Sequence, residues 1–145
     1  MKILVQKVLN ASVTVNSQIV SQIKQGLLLF IGVEKGDTSS HADFLAKKVA
    51  NLRIFEDENQ KMNLSVQDVK GEILAVSQFT LAADLSRGNR PGFESAARPE
   101  EAKPLYEYFV KQMQSYAIPV QTGIFQADMK VALVNDGPCT FILQK

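Results

Sequence analysis

Three hydrogen-bonding side chains follow an apolar run in the middle of the chain. The aliphatic run Ile73–Val76 predicts a buried strand, and we interpret Ser77–Leu81 as the end of that strand. Here Ser77, Gln78 and Thr80 carry polar groups, and each needs a partner or costs roughly 1–3 kcal/mol when buried. Periodicity leaves two explanations open: the side chains cap loop backbone, or they form a site for a substrate.

A second polar stretch, Asn135–Thr140, separates two strand-like runs near the end of the sequence. It contains Gly137-Pro138, which predicts a tight turn between the two runs. X–Pro bonds are the only peptide bonds that become cis at modest cost, roughly 0.5–1 kcal/mol. Spacing alone also allows an ordinary trans turn.

Composition limits the chemistry that these two stretches could perform. A chain of 145 residues with 46% hydrophobic and 21% charged residues predicts one folded domain over residues 1–145. The net charge of +1 means that an RNA partner needs a local basic patch. Cys139 and His41 are the only residues of their types, so we expect no disulfide, no metal site and no cofactor. A Ser-His-Asp triad would depend on His41 alone.

The start of the chain and its longest apolar run bear on location. Gly26–Val33 is too short to span a bilayer, so no membrane partner is expected. Met1-Lys2 leads directly into strand-like sequence, which leaves no room for a signal peptide. We therefore expect a cytoplasmic protein.

The first third of the chain has the pattern of β-strands. Apolar and polar residues alternate over Ala11–Val15, and Asn16-Ser17 predicts the turn of a hairpin that returns through Ile19–Ile23. Gly26–Val33 is apolar on both faces and so predicts a central strand.

Two helices are predicted between the strands. Asp37–Ser40 offers N-cap oxygens to the first helix, which has His41 in its first turn as an expected solvated side chain. Its expected buried face carries Phe44, Leu45, Val49 and Leu52, with Lys47 and Lys48 opposite. The second helix begins at Pro99 or Pro104 and carries Leu105, Tyr108, Phe109, Met113 and Tyr116. The order predicts an α+β fold, with a β-rich domain of antiparallel or mixed, barrel-like sheets and two packed helices.

The longest segment without periodicity is Asp84–Arg98. It contains Arg87, Arg90 and Arg98, which could hold phosphates or could belong to a solvated charged loop.

Together, Ser77–Leu81 and Asn135–Thr140 resemble the two signature motifs of the D-aminoacyl-tRNA deacylases, the D-Tyr-tRNA deacylase family. The resemblance covers essentially the whole chain and includes Gln6-Lys7-Val8, Ala11–Val15, Lys61–Leu64 and Arg87–Pro91. Lys7 stands where arginine is more usual, which weakens any bidentate contact there. Cys139 replaces a more usual valine, a small apolar change of little expected effect.

The resemblance implies hydrolysis of the ester bond of D-aminoacyl-tRNA, a proofreading step in translation, by a homodimer with its sites at the subunit interface. Ser77 and Phe79 would bind the 3′-terminal adenosine and its aminoacyl group, with Gln78 and Thr80 in catalytic positions. Gly137 and Pro138 would be cis and would reach into the partner's pocket. The expected partner is aminoacyl-tRNA and not DNA.

The chemistry of the residues agrees with that function. Ester hydrolysis needs a positioned water and a stabilised oxyanion, which backbone N–H groups near Phe79 and Thr80 could provide. No plausible base is evident beside Thr80 in the sequence. We therefore expect the terminal ribose hydroxyl of the RNA to assist the water, and Thr80 to have a positioning role rather than to attack the ester. Rigid carbonyls of Gly137 and Pro138 would exclude an L side chain but not glycine, so mischarged glycyl-tRNA is an expected second substrate.

Three alternatives remain at this stage. The first is a non-catalytic RNA-end binding module that uses the arginine loop. The second is a serine or threonine esterase built on Ser77 or Thr80 with His41 as base. The third is a purely structural dimer module, which leaves the polar strand end unexplained.

Overall fold

The chain begins with a long hairpin. A computed structural model describes residues 1–145 and places strand β1 at Lys2–Val15 and β2 at Gln18–Ile23. Asn16 and Ser17 between them have φ values of 49° and 63°. Two successive positive φ values suit the primed turns that match the twist of a hairpin, so the predicted turn is confirmed.

The remaining elements follow in chain order. They are β3 (Gly26–Gly32), α1 (Ser39–Ala50), β4 (Phe55–Glu56), β5 (Met62–Leu64), β6 (Glu72–Ser77), a 3-10 turn (Phe79–Ala82), α2 (Pro99–Ser115), β7 (Val120–Thr122) and β8 (Lys130–Gln144). No helix is long and apolar enough to cross a membrane.

Six strands form one mixed sheet. Its order is β2-β1-β3-β6-β7, with β8 paired to the remaining edge of β1. The β1–β3 and β1–β8 pairs are antiparallel, whereas β3–β6 and β6–β7 are parallel. Because β2 also packs against β6 and β7, the sheet curls into a nearly closed barrel. The predicted α+β, barrel-like fold with two packed helices is confirmed.

Both faces of the central strands are buried, in two separate cores. On one face, Leu27, Leu29 and Ile73 pack with side chains of α1 and α2 such as Leu45 and Phe109. On the other, inside the barrel, Leu28, Leu74 and Val76 pack with Val8 and Val13. This double burial is why β3 has no polar alternation.

The strand that precedes the first motif ends earlier than predicted. Residue pairing between β3 and β6 stops at Ile31 and Ser77, where β3 itself is about to end. Beyond that point the amide of Leu81 bonds the carbonyl of Gln78 at 3.2 Å, and the chain turns. Ser77–Leu81 is therefore a strand end followed by a 3-10 turn, because the partner strand runs out.

The second motif is not a turn between two strands. Strand β8 is continuous through it, and Asn135 pairs with Val8 while Thr140 pairs with Gln6. The four residues from Asp136 to Cys139 therefore stand opposite the single residue Lys7. The motif is a large, irregular bulge in one long strand.

The prediction that Phe44 lies on the buried face of α1 is wrong. The face that packs inward is formed by Ala42, Leu45, Ala46, Val49 and Ala50. Phe44 is 46% exposed, because the small alanines shift the buried stripe away from it. The second helix begins at Pro99, and Pro104 lies inside it.

Candidate active site

A pocket of about 590 Å³ lies at the C-terminal end of β6. Its lining comes from four parts of the chain: the residue after β3, the end of β6 with the first motif, the start of α2 with the segment before it, and the start of β8 with the segment before it. The residues are Val33, Val76, Ser77, Gln78, Phe79, Ala97, Pro99, Ala102, Phe125, Gln126, Ala127, Asp128, Met129 and Val131. Open α/β sheets bind ligands at this end of parallel strands.

The sheet fixes the first motif. Ser77 is the last residue of β6, and the amide of Gln78 still bonds the carbonyl of Ile31 at 2.8 Å. Phe79 and Thr80 then open the 3-10 turn, and first-turn N–H groups have no partner within the turn itself. The site therefore combines a rigid strand end with amide groups that suit an oxyanion.

Thr80 does not line the pocket, although it is adjacent to it. Its hydroxyl accepts a hydrogen bond from the side-chain amide of Gln78, and no other side chain bonds it. An amide N–H cannot remove a proton from a hydroxyl. Ser77, Gln78 and Phe79 thus meet at the pocket, with Thr80 beside them and no general base in contact.

An aromatic pair stands at the pocket rim. Phe79 is exposed, and the Phe93 ring lies 5.0 Å from its ring, centroid to centroid, at 53°. Phe93 follows a small hairpin closed by two hydrogen bonds between the backbones of Asp84 and Gly92, at 2.8 and 2.9 Å. This hairpin carries Arg87 and Arg90 exposed near the pocket, so the arginine loop is ordered by backbone pairing.

The wall of the pocket formed by Phe125–Met129 was not predicted from the sequence. Phe125 is held by α2, since the ring of Tyr106 lies 6.1 Å from its ring, centroid to centroid. Tyr106 also donates a buried hydrogen bond to the carbonyl of Ala75 at 2.9 Å, which ties α2 to β6 just before Ser77. Burial, with a smaller contribution from Glu107, raises the pKa of Tyr106, so it stays a neutral donor. No periodic pattern or chemical motif in the sequence marks this wall.

The second motif projects from the sheet on its own. Gly137 and Pro138 are exposed, and the peptide bond between them is cis, as the resemblance implied. Lys7 is buried below them, with its Nζ 3.1 Å from Asp136 Oδ2 and 5.9 Å from the centre of the Phe55 ring. The lysine therefore makes a single ion pair with the bulge.

Cys139 is the buried member of the bulge. Its Sγ lies 3.9 Å from the carbonyl oxygen of Ile54, and burial raises the pKa of the thiol. It fills an apolar place, as expected for a valine substitute.

Neither Gly137 nor Pro138 lines the pocket of its own chain. The bulge lies opposite Lys7, which pairs with Leu27, and Leu27 pairs with Ile73 at the start of β6. From the bulge, Ser77 is therefore three strands away across the sheet, about 14 Å, and four residues farther along the strand direction, about 13 Å. One chain keeps its two motifs apart.

His41 is not placed to act on the motif. Its Nδ1 accepts a hydrogen bond from the amide of Thr38 at 3.2 Å, within the start of α1, and it does not line the pocket. Its side chain is 31% exposed, in keeping with the predicted surface histidine.

The chain is similar to known proteins over its whole length. A family model described as D-Tyr-tRNA(Tyr) deacylase matches residues 4–144. A D-aminoacyl-tRNA deacylase of Geotalea uraniireducens is 60% identical over 144 residues, covering 99% of this chain and 93% of that protein. One of Pelobacter propionicus is 54% identical over 145 residues and covers both chains completely.

Two solved structures share the fold. One named c-Myc DNA Unwinding Element Binding Protein has a TM-score of 0.94 and 39% identity, covering 100% of this chain and 99% of that one. A probable eukaryotic D-amino acid tRNA deacylase has a TM-score of 0.84 and 14% identity, covering 99% and 98%. On the family match and these identities, the chain belongs to the D-aminoacyl-tRNA deacylases, enzymes that hydrolyse the ester bond of aminoacyl-tRNA.

Proposed function

We propose that the chain works as a homodimer in which Gly137-Pro138 of one subunit completes the pocket of the other. The observation that carries this is the distance between the two motifs within one chain. Gly137 and Pro138 are exposed and outside their own pocket, although both motifs belong to the family signature. A second copy related by two-fold symmetry brings each bulge to the other pocket.

The outer edge of β8 supports a dimer. Strand β8 pairs only with β1, so its other edge has no partner along Lys130–Gln144. Val134 and Ile142 on this strand are 47% and 71% exposed. A long unpaired edge with apolar side chains favours association with another chain.

The substrate in this proposal is the 3′ end of D-aminoacyl-tRNA. The base of the terminal adenosine stacks on the exposed ring of Phe79, an interaction of about 1–3 kcal/mol per base. Arg87 and Arg90 on the adjacent hairpin bind phosphates of the same end. The aminoacyl group lies between Ser77 and the Phe125–Met129 wall.

Hydrolysis then needs little chemistry from side chains. The amides of Phe79 and Thr80 stabilise the oxyanion, while the terminal 2′-hydroxyl of the RNA assists the attacking water. Thr80, bonded to Gln78 beside the pocket, has a positioning role and does not attack the ester. The enzyme supplies the oxyanion site and the substrate supplies the assisting hydroxyl, so the ester is hydrolysed only when the terminal adenosine is bound in the pocket.

Chirality is selected by the backbone of the partner. The carbonyls of the partner's Gly137 and the partner's Pro138 surround the amine and α-carbon, so an L side chain meets backbone and a D side chain points outward. Glycine has no side chain and is accepted, which makes mischarged glycyl-tRNA a second substrate. We place this work in the cytoplasm, where aminoacyl-tRNA is used.

A subunit-complementation experiment tests the shared site. Gly137→Ala leaves the pocket open, whereas Ala97→Trp fills the pocket and leaves the bulge intact. Heterodimers isolated with two different affinity tags have one open pocket facing one intact bulge. We expect each homodimer to be at least about 100-fold slower on D-aminoacyl-tRNA, as misplacement by about 1 Å can cost that much. The heterodimer should recover about half the wild-type rate.

Failure of recovery in the heterodimer, with both homodimers folded and dimeric, would show that the bulge serves its own pocket. A monomer at micromolar concentration by sedimentation would have the same meaning.

The second candidate function is a nucleic-acid-binding module without turnover. The structural relative named as a DNA-binding protein is the observation that favours it. Purified protein that binds duplex DNA or tRNA ends but releases no D-amino acid from D-aminoacyl-tRNA would support this alternative.

A further inference from the structure

A second concave site lies at the C-terminal end of α1. It has a volume of about 430 Å³ and we call it the α1 cleft. Its lining is Phe44, Lys47, Lys48, Asn51, Leu52 and Arg53. Positions 44, 47, 48 and 51 are three or four residues apart and so form one face of the helix. Nothing in the hydrolytic site uses these side chains.

The cations of the α1 cleft are free to bind an anion. Lys47, Lys48 and Arg53 form no ion pair within the chain. Arg53 donates its Nε to the carbonyl of Asn63 at 2.8 Å, which leaves its two terminal nitrogens. Lys145 adds a fourth cation, with its Nζ 5.1 Å above the Phe44 ring. This concentration is notable in a chain whose net charge is only +1.

Two carboxylates near Arg53 are already occupied. Asp57 accepts hydrogen bonds from the amides of Lys61 and Asn59, and Asp68 accepts one from the amide of Ser65. These bonds, more than the charge of Arg53, lower the pKa of both groups. The two carboxylates therefore bond backbone amides of their own loops, and neither lines the cleft.

An exposed ring among cations suits RNA more than a simple anion. Phosphates of a single strand pair with lysine and arginine, and an unpaired base stacks on an aromatic face. Phe44 is exposed and lies between Lys47, Lys48 and Lys145. The cleft thus offers both contacts at once.

The Arg53 end of the α1 cleft lies near the Asp136–Cys139 bulge, through the residue that follows Arg53 in the chain. Arg53 precedes Ile54, whose carbonyl lies 3.9 Å from Sγ of Cys139, and Phe55 follows under Nζ of Lys7. If the bulge enters the partner's pocket, the cleft stands beside the mouth of that pocket. A chain of phosphates leaving the pocket would pass it.

We propose that the α1 cleft binds the phosphodiester backbone of the acceptor end of the tRNA whose terminal adenosine occupies the pocket of the partner subunit. The inference rests on the proposed function. Each tRNA is then held by two subunits: one provides the pocket and the arginine hairpin, and the other provides the bulge and the cleft.

The first experiment compares a substrate that has the phosphates with one that lacks them. The variant Lys47→Gln/Lys48→Gln/Arg53→Gln is assayed on D-aminoacyl-tRNA and on D-aminoacyl-adenosine. We expect the ratio of kcat/KM for D-aminoacyl-tRNA to kcat/KM for D-aminoacyl-adenosine to fall about 20-fold at low salt. The slope of log kcat/KM for tRNA against log salt should become shallower by about 2, since each single-strand phosphate contact contributes about 0.7.

A matched control removes equal charge elsewhere. Lys24→Gln/Lys103→Gln/Lys111→Gln changes three exposed lysines that do not line the cleft. An equal fall of the kcat/KM ratio in this control, or an unchanged salt slope in the cleft variant, would overturn the inference. Hydrolysis of D-aminoacyl-tRNA by the wild type would still support the proposed function in that case. If the wild type hydrolyses neither substrate, the proposed function itself fails.

The second experiment assigns the cleft to a subunit. A cleft-variant subunit with an open pocket is paired with an Ala97→Trp subunit with an intact cleft, again as a purified heterodimer. We expect the salt slope of the wild type to return. A slope that stays shallow would mean that the cleft acts on its own pocket, and the arrangement across subunits would be wrong.

Discussion

The two motif regions differ in how far their own subunit supports them. The amide of Gln78 bonds the carbonyl of Ile31 in β3, the 3-10 turn packs against β3, and Tyr106 ties the preceding strand to α2. The Asp136–Cys139 bulge rests on one lysine, one thiol contact and the ends of a strand pair. Folding of a single subunit completes the first region, whereas the second region stays exposed and available for contact with another molecule. Substitutions should therefore affect stability in the first region and activity alone in the second.

The largest expected effect tests whether the first motif region provides a reacting side chain or only positions the substrate. Replacing the terminal 2′-hydroxyl of D-aminoacyl-tRNA with hydrogen should slow hydrolysis by about 10²–10⁴-fold, because it removes the assisting group. Thr80→Ala should retain at least about a tenth of kcat, since Thr80 has no base beside it. Single-turnover rates measure both. An acyl-enzyme trapped on Thr80 would contradict this assignment.

A pair of glycine substitutions compares the regions directly. A Cβ at Gly137 would lie 2.5 Å from the side-chain amide of Asn135, which can move, and at an ordinary contact distance of 3.5 Å from the backbone nitrogen of Cys139. Gly137→Ala should lower D-substrate kcat/KM about 100-fold and leave the unfolding free energy unchanged.

A Cβ at Gly32 instead lies 3.0 Å from Leu81 Cβ and 3.1 Å from the carbonyl oxygen of Gln78. Gly32→Ala should lower the unfolding free energy by about 1–3 kcal/mol, as overpacking does. Urea denaturation measures both variants. Equal destabilisation by the two would remove the contrast between the regions.

A third prediction concerns the support of the bulge. Lys7→Met removes the charge that faces Asp136 and keeps the apolar length under the bulge. We expect D-substrate kcat/KM to fall about 10-fold, since the bulge loses its position. Lys7→Arg should preserve activity because it restores a cation for Asp136. A Lys7→Met enzyme with wild-type rates would show that the bulge holds its shape without the ion pair.

The smallest effect is expected at the link between α2 and β6. Tyr106→Phe removes the hydrogen bond to the carbonyl of Ala75 but keeps the ring against Phe125. The unfolding free energy should fall by about 1 kcal/mol with little change in kcat. Thermal unfolding with parallel rate measurements checks this. A large loss of kcat would mean that the pocket depends on this one bond.

Local signals predicted the elements but not their ends. Asn16-Ser17 specified its hairpin because two residues with positive φ suit only a few turn types. The end of β6 at Ser77 was mispredicted because a strand ends where its neighbour does, and that neighbour is distant in sequence. Phe44 was misassigned for a similar reason, since packing against both the sheet and α2 decides which face of α1 is buried, and that face carries the alanines.

The motif residues were found from sequence, but their separation was not. Ser77, Gln78 and Phe79 share a pocket because they are neighbours in the chain, so spacing was sufficient. The Phe125–Met129 wall carries no periodic or chemical signal, and it reaches the pocket only because β7 pairs beside β6.

Local pattern and residue type were enough to predict the fold class, the family and the polar side chains of both motifs. Folding in three dimensions separates Gly137 and Pro138 from Ser77, gathers Lys47, Lys48 and Arg53 into one cleft, and brings Ile54, next to Arg53, against Cys139 of the bulge. Those relations join residues that are distant in the chain, and strand register and helix packing set them.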